Sequence, residues 1–115
     1  MRVNEKLYHV YILTNKIKTD LYTGMTNDLE QRIVEHYIDR IEKETFTGKY
    51  NCHLLLFYES YKYVNDAIAR EKEIKGWIRM KKVKLITNFN PEWKFLNKEL
   101  LGEWPPKELY HRKNT

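Results

Sequence analysis

Glu71 is a carboxylate in an unexpected place. From Val64 to about Met80 the sequence reads as a helix, with Asn65 or Asp66 available to cap it and Gly76 weakening its far end. Turning about 100° per residue, Ala67, Ile68, Ile74 and Ile78 share one face. Glu71 falls inside that apolar stripe, whereas Arg70, Lys72 and Glu73 point elsewhere. Burying an unpaired carboxylate is costly, so the group must protonate, pair or bind a cation. Two readings stand side by side. Glu71 is either the partner of one of the many Lys or Arg side chains, or a hard oxygen ligand for a divalent metal, foremost Mg²⁺. Such sites often use one or two carboxylates completed by water and substrate phosphate.

Around Glu71 runs a basic strip: Arg70, Lys72, Lys75, Arg79, Lys81, Lys82 and Lys84, opposed only by Glu71 and Glu73. A local excess of cations beside a metal ligand is what binding a phosphate backbone needs, and Trp77 could stack on bases or sugars. The plainer reading is a solvated helix face. Arg32 and His36, four residues apart, share a face of an earlier helix. An arginine there can grip a phosphoryl oxygen and neutralise developing charge, and a histidine one turn on can relay a proton. Tyr11 and Tyr22 fall near the middles of two strands, where a phenol beside cations can pass a proton. With nine tyrosines in the chain, packing is the ordinary role of any two.

The elements that must position these residues can be read in order. Tyr8 to Leu13 is aromatic and β-branched and reads as a strand. After the polar link Thr14 to Asp20, Leu21 to Met25 is a second strand, giving a hairpin with a longer loop. Asn27 is the expected N-cap of the first helix, with Glu30 completing a capping box. Leu29, Ile33, Val34, Tyr37, Ile38 and Ile41 carry its apolar spacing. His53 to Glu59 reads as a strand covered on both faces. After the Glu71 helix, a shorter helix is expected over Lys81 to Ile86. A last helical piece follows Pro91, through Trp93, Leu96 and Leu101. The expectation is an α+β fold in the order ββαβαα(α), a small central antiparallel three-stranded β-sheet flanked by α-helices. The domain spans 1–101, with 102–115 as a C-terminal tail.

Composition bounds the rest. The 115 residues are 42% hydrophobic and 32% charged, enough apolar content for one folded domain. Net charge is +5, which invites a polyanionic partner without specifying a reaction. A single cysteine, Cys52, excludes an internal disulfide and a cysteine-rich zinc site. The histidines have no zinc-ligand spacing, and no Gly-rich phosphate loop or Ser/His/Asp pattern is present. No apolar run approaches the roughly 20 residues needed to span a bilayer, and the start lacks a signal core, so a cytoplasmic protein is expected.

Taken in order, these residues resemble a GIY-YIG nuclease domain over roughly Tyr8 to Leu101. Val10-Tyr11-Ile12 stands at the first signature tripeptide, with Val for Gly. Tyr22-Thr23-Gly24 stands at the second, with Thr for Ile. Arg32, His36 and Glu71, the last within Ala69-Arg70-Glu71-Lys72, match the arginine, the following His or Tyr, and the metal-binding glutamate. Asn90 matches the late asparagine, with Asn88 a rival. The chain looks most like small stand-alone bacterial proteins similar to the N-terminal domain of the excinuclease that incises damaged DNA. It lacks room for that enzyme's second nuclease and helix-hairpin-helix parts, so a role in its incision complex does not follow.

The resemblance implies a one-metal phosphodiesterase acting on nucleic acid, with DNA the expected partner. Glu71 would hold Mg²⁺ or Mn²⁺, water activated by Tyr11 or Tyr22 would attack in line, and Arg32 with His36 would stabilise the charge. Lys49-Tyr50 resembles a substrate-touching element of the stand-alone members. Gly24 and Asn90 would be supporting residues. Met25 stands where some members carry a catalytic lysine, which leaves the general base open. Two alternatives stand beside the nuclease: a non-cleaving nucleic-acid-binding module of the same fold working with a partner, and a basic structural protein. The second explains the charge but not Glu71.

Overall fold

The computed structural model describes residues 6–41 and 50–106. Its centre is a three-stranded antiparallel sheet of β1 (Tyr8–Thr14), β2 (Leu21–Thr26) and β3 (Leu54–Tyr61), in the order β2-β1-β3. The expected α+β architecture and element order are observed. The linking loop between β1 and β2 is fixed by one side chain: Asn15 Oδ1 accepts from the backbone N–H groups of Thr19 and Asp20 at 2.8 and 3.1 Å.

Strand alternation sends the residues of β1 to opposite faces. Val10 and Ile12 pack with Leu56, Phe57, Ala67, Ile74 and Ile86 under α2 (Val64–Lys75) and α3 (Arg79–Phe89). Tyr11 and Leu13 pack with Leu29, Ile33, Cys52, Leu55 and Leu96 under α1 (Leu29–Ile38) and α4 (Asn97–Leu101). The β1–β3 register skips one residue: Ile12 pairs with Phe57 and Leu13 with Leu55, so Leu56 is the extra residue of a bulge. The expected burial of β3 on both faces holds, with Leu54 to Phe57 all buried.

Several boundaries differ from expectation, each for a local reason. Asp28, not Asn27, caps α1, its carboxylate accepting from the Gln31 N–H at 3.2 Å, so Glu30 does not complete a capping box. Neither Asn65 nor Asp66 caps α2. The N-cap is Tyr63, without a side-chain bond. The expected single helix to Met80 is two: α2 stops at Gly76, and Ile78 is extended and 70% exposed. Trp77, not Ile78, continues the apolar packing. The following helix is correspondingly longer than Lys81 to Ile86. After Pro91 the chain stays irregular until α4, because Asn90 folds it into a turn. Asn90 Oδ1 accepts from Lys94 N–H, and its amide donates to the carbonyls of Lys94 and Leu56 at 2.9 and 3.0 Å.

Residues 102–106 pack on the elements before them. Trp104 lies edge-on to Tyr37, with ring centroids 4.9 Å apart, and Pro106 is buried. Among the described residues, no helix is long and apolar enough to cross a membrane.

Candidate active site

The site is built on the α1 side of the hairpin. Tyr11 stands opposite Gly24 in the β1–β2 register. A Cβ on Gly24 would fall 2.5 Å from Tyr11 Oη and 2.6 Å from Cζ, so the phenol ring occupies the space a side chain would need. Glycine here is a matter of room. Passing over it, the phenol reaches α1, where Tyr11 Oη lies 2.8 Å from His36 Nε2. Tyr22 closes a triangle of rings, its centroid 6.4 Å from Tyr11 and 5.5 Å from His36.

Burial sets the proton inventory. Tyr11 and His36 are each 1% exposed. Burial, helped by the Tyr22 phenol and the Glu71 carboxylate, holds the Tyr11 hydroxyl well above the ordinary phenol range; Arg32 pulls the other way. Burial, with Arg32 and His53 adding to it, pushes His36 down to about 3, so the imidazole is neutral at physiological pH. Burial also opposes the charge of Arg32, but hydrogen bonds to Glu35 and Tyr11 outweigh it and hold the guanidinium above its usual range. The Tyr11 hydroxyl and His36 Nε2 share one hydrogen bond, and the Arg32 guanidinium, held by Glu35, acts on the phenol electrostatically. The other ring nitrogen, His36 Nδ1, is buried without a hydrogen-bond partner among the described residues.

Glu71 keeps its place in the α2 stripe between Ala67 and Ile74, though its side chain is 21% exposed rather than buried outright. Its Oε2 pairs with Lys75 Nζ at 3.3 Å, so the pairing reading is realised. That lysine is 51% exposed and one turn away, the kind of helical surface pair worth only about 0.3–0.5 kcal/mol. The Glu71 carboxylate also bears on the Tyr11 phenol, as the smallest of the influences on it. Lys75 is thus a displaceable neighbour and not a lock.

The basic strip divides. Arg70 is not a free phosphate ligand. Its guanidinium donates to Glu59 at 2.6 Å and to Glu73 at 2.8 Å, tying α2 to β3. Lys81 lies over the Trp77 ring at 4.5 Å, and Arg79 reaches the Lys18 carbonyl at 3.5 Å. Lys72, Lys75 and Lys84 are exposed and Lys82 is half-exposed.

Asn90, expected as a supporting site residue, donates to the bulge carbonyl of Leu56. Its rival Asn88 is exposed. Met25 points to the α2–α3 layer and packs there, on the face opposite Tyr11. Tyr50 is 38% exposed, and Lys49 lies outside the described residues.

Two residues escaped the sequence reading. Glu35 holds Arg32 at 2.9 Å, and its i+3 spacing was a usable signal. Asn97 is buried and joins α4 to β3 through Leu55 N–H and the His53 carbonyl, a long-range pairing with no local signature.

Residues 7–84 match the profile of the GIY-YIG catalytic domain. The chain belongs to the GIY-YIG family. Among its relatives, a UPF0213 protein of Pediococcus acidilactici is 34% identical over 85 residues, covering 74% of this chain and 86% of the relative. A UPF0213 protein of Staphylococcus saprophyticus is 35% identical over 80 residues, covering 70% and 94%. The solution NMR structure of a UPF0213 protein from Bacillus halodurans superposes with a TM-score of 0.50 at 28% identity, covering 80% of this chain and 95% of that one. GIY-YIG domains form a nuclease superfamily that acts on nucleic acid and generally uses a divalent metal.

The residues of this GIY-YIG domain suit such a metal in a particular way. Among the described residues no three His, Cys, Asp or Glu side chains cluster as a metal cage. Glu71, half-buried on α2, offers one carboxylate rather than a cage. That donor set fits a hard cation that keeps most of its water and takes further oxygens from a phosphate. It does not fit zinc, which wants nitrogen and sulfur donors closing a tetrahedron.

Proposed function

We propose that this GIY-YIG domain is a divalent-metal-dependent endonuclease that hydrolyses DNA phosphodiester bonds. The observation that carries this reading is the convergence of Tyr11, Tyr22, Arg32 and His36 on one side of the hairpin, within the field of Glu71. A binder has no use for two phenols, a neutral histidine and a carboxylate held together. Glu71 would hold Mg²⁺ or Mn²⁺, which supplies Lewis acidity at a phosphoryl oxygen.

The chain's own residues divide the remaining work. Tyr22 is half-buried and more open than Tyr11, whose hydroxyl is engaged by His36. Tyr22 is therefore the phenol open to the attacking water, and it takes that water's proton. Arg32 has donors left after serving Glu35, and turns them to the phosphoryl oxygens as charge grows there. His36 positions Tyr11 and, through it, Arg32. The catalytic unit spans residues 1–101. Lys49, Tyr50, Lys72, Lys75, Arg79, Lys81, Lys82 and Lys84 contact the backbone of the nucleic acid.

The test is a cleavage panel over duplex, branched and single-stranded DNA and RNA, with Mg²⁺ or Mn²⁺ supplied. Wild type should nick DNA, chelator should stop it, and Glu71→Gln should be slower by at least about a hundredfold while still binding. Arg32→Ala should lower turnover more than affinity. If wild type and Glu71→Gln bind alike and neither cuts, the chain is a binding module of this fold.

A further inference from the structure

A cavity outside the phenol triangle is unused by the mechanism. It has a volume of about 440 Å³, within the range of ligand pockets, and opens at the end of the sheet where β3 begins. Three rings line it: Phe95, His53 and Trp104, with Leu54 among them. The His53 and Trp104 rings are inclined by only 20°, and Tyr37 braces both edge-on at 5.6 and 4.9 Å. Phe95 is 37% exposed, a large apolar ring left facing solvent. The charged side chains at the wall are Lys16 and Lys98, with no carboxylate among the lining residues. A third cation, Lys18, stands over the Phe95 ring at 5.1 Å.

The pocket neighbours the candidate active site through His53 and Tyr37. His53 is one of the groups that depress His36, so the two imidazoles lie within electrostatic range. Tyr37, which braces the pocket rings, is the next residue of α1 after His36.

Flat aromatic walls with cations at the rim suit a planar ring with an anionic group attached. We infer that this cavity receives an unstacked nucleobase of the nucleic-acid substrate, stacked on the Phe95 and Trp104 side, with the adjoining phosphate held by Lys16 and Lys98. A base enters such a slot only when it is out of the helix, because a paired base keeps its faces covered by its neighbours. The inference rests on the nuclease reading and deepens it: the substrate class is nucleic acid with an unpaired nucleotide beside the scissile phosphate.

The experiment uses the full chain carrying Glu71→Gln, so that nothing is cut, and short DNA carrying 2-aminopurine. One probe is fully paired, one has the fluorescent base bulged, and one is single-stranded. Binding is read by anisotropy and stacking by 2-aminopurine quenching. The unpaired probes should bind about tenfold or more tightly than the paired one and be quenched, and adding Phe95→Ala should remove most of both differences. Because Phe95 is exposed, its loss should leave the fold intact, to be checked by thermal melting. Lys98→Glu should weaken the unpaired probes more than the paired one.

Equal affinity for all three probes, or a preference that survives Phe95→Ala and Lys98→Glu, overturns the pocket while leaving the nuclease reading in place. Binding to none of them overturns both. A thymidine monophosphate that displaces every probe at micromolar concentration would make the site one for free nucleotides, which also overturns the inference.

Discussion

The two faces of the sheet are made from one strand and could hardly differ more. Under α2 and α3, Val10 and Ile12 meet Leu56, Phe57, Ala67, Ile74 and Ile86, and the buried polar residues of that side, Thr23 and Asn90, carry no titratable group. Under α1, Tyr11 and Leu13 share their layer with His36 and, nearby, Asn97, each buried and held by hydrogen bonds. One face supplies cohesion through contact area. The other spends part of its interior on polar groups whose protonation the surroundings have fixed. Because neighbours in β1 alternate between these faces, a change of one position along the strand should exchange loss of stability for loss of chemistry.

The sharpest test of that contrast is Ile12→Ala beside Tyr11→Phe. Ile12→Ala should cost about 2–5 kcal/mol in urea unfolding and leave the turnover of folded protein unchanged. Tyr11→Phe removes one hydroxyl and leaves His36 Nε2 without its partner, so it should cost less, about 1–3 kcal/mol, and abolish most turnover. The reverse pattern would break the comparison.

Next in size is the acid limb of stability. An unfolded imidazole takes its proton near 6.5, whereas folded His36 does so near 3. Between those values the unfolded chain binds more protons, so stability is full above 6.5 and falls as the pH drops through that window. His36→Gln should flatten the profile, by up to about 3 kcal/mol at pH 4, as measured by denaturation across a pH series. An unchanged acid limb would place the loss at other groups.

Gly24→Ala should cost about 1–3 kcal/mol and lower turnover, because its methyl would overlap the Tyr11 phenol. In a Tyr11→Leu background the cost should shrink, and a double-mutant cycle measures the difference. The smallest effect separates the two kinds of cation on the α2–α3 side. Lys84→Ala should reduce the salt slope of DNA binding by about one, whereas Arg70→Ala should leave the slope alone and cost about 1–2 kcal/mol of stability. Equal slopes would return Arg70 to the phosphate-binding set.

Periodicity carried much of this in the sequence. The alternation around Tyr11, the helical spacing from Leu29, and the intrusion of Glu71 between Ala67 and Ile74 are short-range patterns, and they place the strands, α1 and the start of α2. The order of those residues also marked the family. What stayed hidden depends on partners distant in sequence. Arg70 reads like its basic neighbours until Glu59, eleven residues away on β3, is brought against it. Asn90 reads as a site residue until the Leu56 carbonyl appears above its amide. The break at Gly76 is visible as a weak helix position, but its location depends on whether Trp77 or Ile78 finds the core.

The bulge at Leu56 has a consequence for how the sheet tolerates change in length. Excising that residue would restore plain alternation along β3, and Phe57 to Tyr61 would still stand opposite the same residues of β1. Only core volume and the acceptor for Asn90 would be lost. Removing a residue further along, between Phe57 and Tyr61, would instead turn Glu59 away from Arg70 and shift Tyr58 out of the layer it shares with Tyr11. The central ladder thus carries one spare position, and it lies where the two layers of the molecule meet.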